Sequence, residues 1–208
     1  MKKLFFALAC ISLMSFSGEK DKYPVLKIGD QAPMIDYKMR DVSGVAPSLS
    51  EIKDANGLCV IFSCNTCPFV VGRGEENEGW EGRYNDVANW CSDNKIGVVF
   101  VNSNEAKREG VDSMEEMQKH AKENNYNFKY VEDKNSQLAN AFGAKTTPHV
   151  FLFDKNMALA YEGAIDDNNA SAEKVKQHYL KDALVKLAKG EKIDPNNTNA
   201  LGCSIKRL

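Results

Sequence analysis

Two thiols spaced for redox chemistry stand in the run Cys64-Asn65-Thr66-Cys67-Pro68. Directly before it, Leu58-Cys59-Val60-Ile61-Phe62 is a continuous apolar stretch bounded by Asn56-Gly57, the pattern of a strand buried on both faces. Pro68 suits the first turn of a helix, where its missing N–H costs no hydrogen bond. The pair is therefore expected where strand gives way to helix, among unpaired amides and at the positive end of the helix dipole. Such surroundings lower a cysteine pKa from about 8.5 to as little as about 3.5, and the thiolate is the nucleophile. Two intervening residues let the sulfurs close a disulfide within one helical turn, so the pair can cycle between dithiol and disulfide through a mixed disulfide. Cys64, nearer the strand end, is expected to attack, and Cys67, one turn in, to resolve.

Other uses of two cysteines fit less well. Structural zinc needs further ligands, but there is no second Cys-x-x-Cys, and His120, His149 and His178 are scattered. Haem attachment requires histidine after the second cysteine, where Pro68 stands. A permanent disulfide across so short a loop would stabilise little. Cys59 in mid-strand and Cys91 on an apolar helix stripe read as small core residues.

The elements that must hold the pair are legible around it. Apolar runs at 96–101 and 149–153, with shorter ones at 128–131 and 159–161, predict strands beside 58–62. Alternating runs at 35–39 and 46–52, punctuated by Gly29, Pro33, Gly44 and Pro47, predict a small N-terminal hairpin. Ser113 and Glu116 have the spacing of a capping box, with Met114, Met117 and Ala121 on one face. Asn135 or Ser136 opens a short helix that Gly143 closes, and the stripe from Val175 to Leu187 predicts a last helix over 172–189, ended by Gly190. A further helix is expected from Pro68 to Cys91, interrupted by the glycine- and glutamate-rich stretch from Gly72 to Gly82. Strands alternating with helices imply an α/β sheet covered on both faces.

The whole chain has 208 residues, 43% hydrophobic and 27% charged, enough for one well-buried core but cramped for two domains. Its net charge of −2 lacks the basic footprint that binding to nucleic acid requires. Met1-Lys2-Lys3 and the apolar stretch from Leu4 to Phe16 read as a secretory signal, with Ser15 and Ser17 at the small-residue positions before a cut at Gly18. A rival cut at Ala7-Leu8-Ala9-Cys10 would leave a lipid anchor on Cys10, the only route to a membrane read here. Export to an oxidising compartment such as the periplasm would leave Cys59, Cys64, Cys67, Cys91 and Cys203, an odd number, so at least one stays free or pairs transiently. The organisation expected is a signal peptide at 1–17, a polar linker at 18–27, one domain at 28–194 and a tail at 195–208.

The active segment Phe62-Ser63-Cys64-Asn65-Thr66-Cys67-Pro68-Phe69 resembles that of thioredoxin-like redoxins, in particular exported peroxiredoxin-like and thioredoxin-family proteins. The likeness extends through Gly29-Asp30-Gln31-Ala32-Pro33, Asn102-Ser103-Asn104, Gly143-Ala144-Lys145-Thr146-Thr147-Pro148, Phe151 to Asp154, Gly163 to Asp167 and Gly202-Cys203-Ser204-Ile205-Lys206, almost the entire span after the leader. It implies a three-layer α/β/α sandwich with a mixed central sheet and an N-terminal hairpin extension. The implied activity is thiol-disulfide exchange with protein thiol or disulfide substrates and a redox donor, with no cofactor. It further implies a cis Thr147-Pro148 bond facing the two cysteines, with the Thr147 backbone pairing an extended substrate. Pro148 opens an apolar run, the strand position that tolerates a missing donor. His149 beside it is expected to be packed or at the rim.

Two departures bear on mechanism. The tryptophan and the buried acid of thioredoxins are replaced by Ser63 and Leu58, which leaves water or Glu105 as the proton acceptor. The peroxidase signature Pro-x-x-x-Thr/Ser-x-x-Cys fits neither cysteine, since Ile61 and Gly57 precede Cys64 and Cys64 and Val60 precede Cys67 at those offsets. A thiol-dependent peroxidase is thus the alternative function, and a copper-delivery module using Cys64, Cys67 and His149 a remoter one, because such modules carry three residues between their cysteines. Cys203, in a tail without helical pattern, is expected to be flexible and accessible, a possible third redox cysteine.

Overall fold

The computed structural model describes residues 22–74 and 76–208. The expected signal peptide, Cys10 and Glu75 lie outside the described residues. The apolar runs form strands β2 (Gly57–Ser63), β3 (Ile96–Asn102), β4 (Lys129–Glu132), β6 (His149–Asp154) and β7 (Leu159–Gly163), and short polar segments add β1 (Arg40–Asp41), β5 (Thr146–Thr147) and β8 (Cys203–Ser204). Between them lie helices α1 (Leu49–Ile52), α2 (Pro68–Val71), α3 (Tyr84–Asp93), α4 (Met114–Glu123), α5 (Gln137–Phe142) and α6 (Tyr179–Lys189). The main sheet has the order β1-β4-β3-β2-β6-β7, with β2, β3 and β4 parallel and the remaining pairs antiparallel. A second, two-stranded sheet joins β5 to β8.

Every residue of β2 is buried, which is why its sequence shows no polar alternation. The two-residue period instead sorts its side chains between two cores. Cys59 and Ile61 face one core, with Val87 and Cys91 of α3, Met117 of α4 and Leu184 of α6. Leu58, Val60 and Phe62 face the other, with Leu49 of α1 and Leu138 and Phe142 of α5. Helices on both faces of a mixed sheet make the three-layer sandwich. Emptying the place of Phe62, fully buried at the centre, would cost about 3–5 kcal/mol by the usual behaviour of such truncations.

Several expected elements differ locally. The N-terminal turn does fold back, with the Met39 amide donating to Pro47 O at 3.0 Å and the Asp41 amide to Val45 O at 2.8 Å, but its first arm pairs with β4 and its second continues as α1. The helix expected from Pro68 to Cys91 is two helices. Between α2 and α3 the chain doubles back so tightly that the Trp80 amide reaches Phe69 O at 3.1 Å, and a Cβ on Gly79 (φ 69°) would strike the Val70 carbonyl. The last helix is likewise shorter than 172–189: Ala172–Lys174 is a 3₁₀ turn and α6 begins at Tyr179. At α4 only half of the capping box forms, the Glu116 amide donating to Ser113 Oγ at 3.2 Å while the Ser113 amide goes to Gly110 O.

The C-terminal chain runs back over this frame. Asn196 and Thr198 bond to the backbone of Glu162 on β7, and Asn197 pairs with Glu162 in parallel. Among the described residues no helix is long and apolar enough to cross a membrane.

Candidate redox site

β2, a central strand, ends at Ser63, which pairs with Asn102 of β3, and Cys64 follows directly. Cys67 is the N-cap of α2 and Pro68 its first residue. Both sulfurs are nearly enclosed, Cys64 being 2% and Cys67 4% exposed. Opposite them lies Thr147, whose bond to Pro148 is cis. Cys64 Sγ and Thr147 Oγ1 are hydrogen-bonded at 3.3 Å, and the Cys67 thiol donates to the Thr147 carbonyl at 3.1 Å. A cavity of about 210 Å³ opens onto this cluster, lined by Cys64, Cys67, Thr147 and Cys203, with Lys107 and Lys206 among its other walls.

The two sulfurs differ in electrostatics. The thiol of Cys64 directed at Cys67, helped by hydrogen bonds from Cys203 and Thr147, lowers the Cys67 pKa to about 5 against the opposing effect of burial. Its protonated form donates to the Thr147 carbonyl, which favours the thiol, but the donors of Cys64 and Cys203 outweigh that single acceptor. Cys64 is pushed well above the usual thiol range by its hydrogen bond to Cys67 and by burial, with the charge of Asp112 adding to both. The hydrogen bond between the two sulfurs thus favours the thiolate on Cys67 and the thiol on Cys64.

A polar network beneath the loop between the cysteines is invisible to motif reading. Asp112, wholly buried, accepts from the Asn65 amide at 3.0 Å, Asn102 Nδ2 at 2.7 Å and Asn104 Nδ2 at 3.1 Å. Asn65 Oδ1 in turn accepts from Tyr130 Oη at 2.7 Å, and Asn65 Nδ2 donates to Val111 O at 2.8 Å. Asp112, Asn65, Asn102, Asn104 and Tyr130 thus satisfy one another, as the cost of leaving a buried polar group bare demands. The Asp112 charge raises the Cys64 pKa further. Glu105 faces Arg108, with 3.5 Å between their charged atoms, and is not part of the cavity wall.

His149 is packed, with both ring nitrogens engaged: Nδ1 accepts from the Lys145 amide at 3.1 Å, and Nε2 is bonded to Glu162 Oε1. With Nδ1 accepting, the ring proton belongs on Nε2. It is 2% exposed and absent from the cavity wall, so it is not placed to join the two cysteines in holding a metal. Among the described residues no group of three or more His, Cys, Asp or Glu side chains is arranged to hold a metal ion. Cys59 and Cys91 are buried together in the core.

Cys203 departs most from expectation. Its segment is a strand, β8, paired antiparallel with β5 so that Cys203 stands opposite Thr147 and Ser204 opposite Thr146. It is partly rather than freely exposed. The local sequence carries no strand signal because the hold is non-local: the Ile205 amide donates to Lys145 O at 3.0 Å, the Lys206 amide to Asn104 Oδ1 at 2.8 Å, and the Ile205 side chain enters the core. Thr147 and Pro148 are consequently both buried.

A family model described as the AhpC/TSA family matches residues 28–162. No curated protein matches the chain. Among solved structures, an uncharacterized conserved protein from Geobacillus kaustophilus is similar with a TM-score of 0.78 at 29% identity, over 89% of this chain and 95% of that one. The hypothetical protein SMc02350 from Sinorhizobium meliloti 1021 gives the same TM-score of 0.78 and 29% identity, over 89% and 97%. The protein from Chlorobium tepidum assigned as thiol:disulfide interchange protein DsbE shares the fold, with a TM-score of 0.57 at 18% identity over 78% and 99%. A mixed sheet between helices, with a Cys-x-x-Cys where the central strand meets a helix, is thus set in a thioredoxin-like redoxin fold, and the chain belongs to the AhpC/TSA family.

Proposed function

We propose that the chain is an exported thiol-disulfide oxidoreductase whose Cys64–Cys67 pair cycles between dithiol and disulfide by exchange with a protein partner. One observation carries the reading: both sulfurs lie against Thr147, at 3.3 and 3.1 Å, on a shared cavity. Proximity makes disulfide closure an intramolecular step, and the lowered pKa of Cys67 supplies thiolate at neutral pH. Thr147 and Pro148 form the docking edge, along which β8 lies in this structure and from which a substrate segment would have to displace it. The electrons move between sulfur atoms only, so exchange itself requires no cofactor. Substrates are protein thiols or disulfides, and a dithiol protein acts as redox donor. Export rests on the leader at 1–17, with lipid attachment at Cys10 as the other possible cut.

Reduction of insulin disulfides with dithiothreitol as the electron source tests the activity. Cys64→Ser is expected to abolish turnover, and turnover equal to the unsubstituted protein would overturn the assignment. Cys64→Ser and Cys67→Ser, each mixed with a disulfide partner, show by which retains a mixed disulfide which sulfur attacks. Peroxide reduction is the second reading, favoured by the family match over 28–162. With no peroxidase signature around either cysteine, consumption of hydrogen peroxide in the presence of a thiol is expected to be slow.

A further inference from the structure

We infer that Cys203 is a resident redox cysteine: β8 occupies the Thr147 edge as an internal partner segment, and its sulfur exchanges with the Cys64–Cys67 disulfide at Cys67. The inference rests on the proposed cycling of that pair and adds a third station to it.

Four observations carry it. β8 is paired in register, Cys203 opposite Thr147, on the backbone edge where an extended substrate would lie. Gly202 permits this approach, since a Cβ there would run into the Thr147 carbonyl oxygen. The segment is fastened downstream of Cys203 by the Ile205, Ala106 and Lys206 backbone bonds, so the sulfur is held rather than sampled. Cys203 also shares the cavity wall with Cys64 and Cys67, and its thiol and amide reach Cys67 Sγ. Of the described cysteines it is the one not buried.

The exchange balances without an outside reagent. Cys203 sulfur forms a bond to Cys67 Sγ, the Cys64–Cys67 bond breaks with its electron pair on Cys64 Sγ, and the proton released by Cys203 ends on Cys64. No electron enters or leaves. A dithiol protein then reduces the Cys67–Cys203 bond with two electrons, becoming a disulfide itself. The electrostatics time the step. At rest the Cys203 thiol is raised to about 11 by burial, by its hydrogen bond to Cys67 and by the Cys67 charge. The last two influences vanish once Cys67 enters a disulfide, so more of Cys203 is thiolate when it is needed.

The test uses the full chain, oxidised with diamide, alkylated with iodoacetamide and mapped by peptide mass spectrometry. Cys64→Ser is expected to form an intramolecular Cys67–Cys203 disulfide, with Cys64→Ala repeating the measurement should serine disturb the buried site. Cys203→Ser is expected to close Cys64–Cys67 only. The relay is overturned if Cys203 stays fully alkylatable in both Cys64 variants while Cys203→Ser closes Cys64–Cys67 normally. Failure of Cys203→Ser to close Cys64–Cys67 would instead overturn the parent reading, and the relay with it.

Discussion

The thiol of Cys67 meets the carbonyl oxygen of Thr147 at 3.1 Å, across 80 positions of sequence, and the same threonine meets Cys64 through its hydroxyl at 3.3 Å. One residue therefore gauges the positions of both sulfurs. The anion on Cys67 depends mainly on the Cys64 thiol as donor. Thiolate absorbance at 240 nm is expected to titrate with a midpoint near 5 in the reduced protein. In Cys64→Ala the midpoint should rise towards the ordinary thiol value of about 8.5, and an unchanged midpoint would show that the helix start alone sets it.

The same shifts fix the sign of a pH dependence. Cys67 has a folded value below its unfolded one, so its ionisation contributes stability that is complete above about 8.5 and disappears as pH falls through about 5. Cys64 has a raised folded value, so its contribution holds below about 8.5 and is lost as pH rises further. The stability of the reduced protein relative to a Cys64→Ala, Cys67→Ala double variant should accordingly climb between those pH values and decline beyond. Urea denaturation at a series of pH values measures it, and a flat difference would refute it.

Asp112 organises the loop that carries Cys64. Asp112→Ala leaves the Asn65 amide and the Asn102 and Asn104 side-chain donors without their common acceptor. A loss of about 3 kcal/mol is expected in chemical denaturation, the scale of removing hydrogen bonds to a buried charge. Asp112→Asn, which keeps one acceptor oxygen, should lose less. Equal and small losses in both would mean that the network is not what holds the loop.

Gly202 sets how near β8 comes to Thr147. Gly202→Ala should push the strand outward, costing about 1–3 kcal/mol as overpacking usually does. Alkylation of Cys203 in the reduced protein should accelerate, with the rates of the buried Cys59 and Cys91 unmoved. Unaltered Cys203 alkylation would show that the strand accommodates a side chain there.

The parts of the fold that depend on local pattern were legible. The buried runs became β2, β3, β4, β6 and β7, and Gly143 and Gly190 end their helices in left-handed conformation. What escaped depends on partners distant in sequence. α5 opens beneath Asn135 and Ser136, both at positive φ, because Asp133 takes over the capping, accepting from the Leu138 and Ala139 amides at 2.9 Å each. The extent of α2 was obscured by a reversal that hinges on backbone clearance, and β8 by pairing with β5 some 56 residues upstream in register. At the site, the spacing of Cys64, Cys67 and Pro68 pointed to the sulfur pair, while Asp112, Asn65 and Tyr130 could not be found because no short motif joins them.

The run of Asn196 to Thr198 along Glu162 has a consequence for how molecules of this protein meet one another. A bare outer strand offers its amides to any neighbouring chain, and exposed edges of this kind seed fibres. Here Asn196 to Thr198 fill that border beside β7, and β1 at the far side is only two residues long. The segment that brings Cys203 to the sulfurs thereby also discourages self-association, so proteolytic trimming of it would expose both liabilities together.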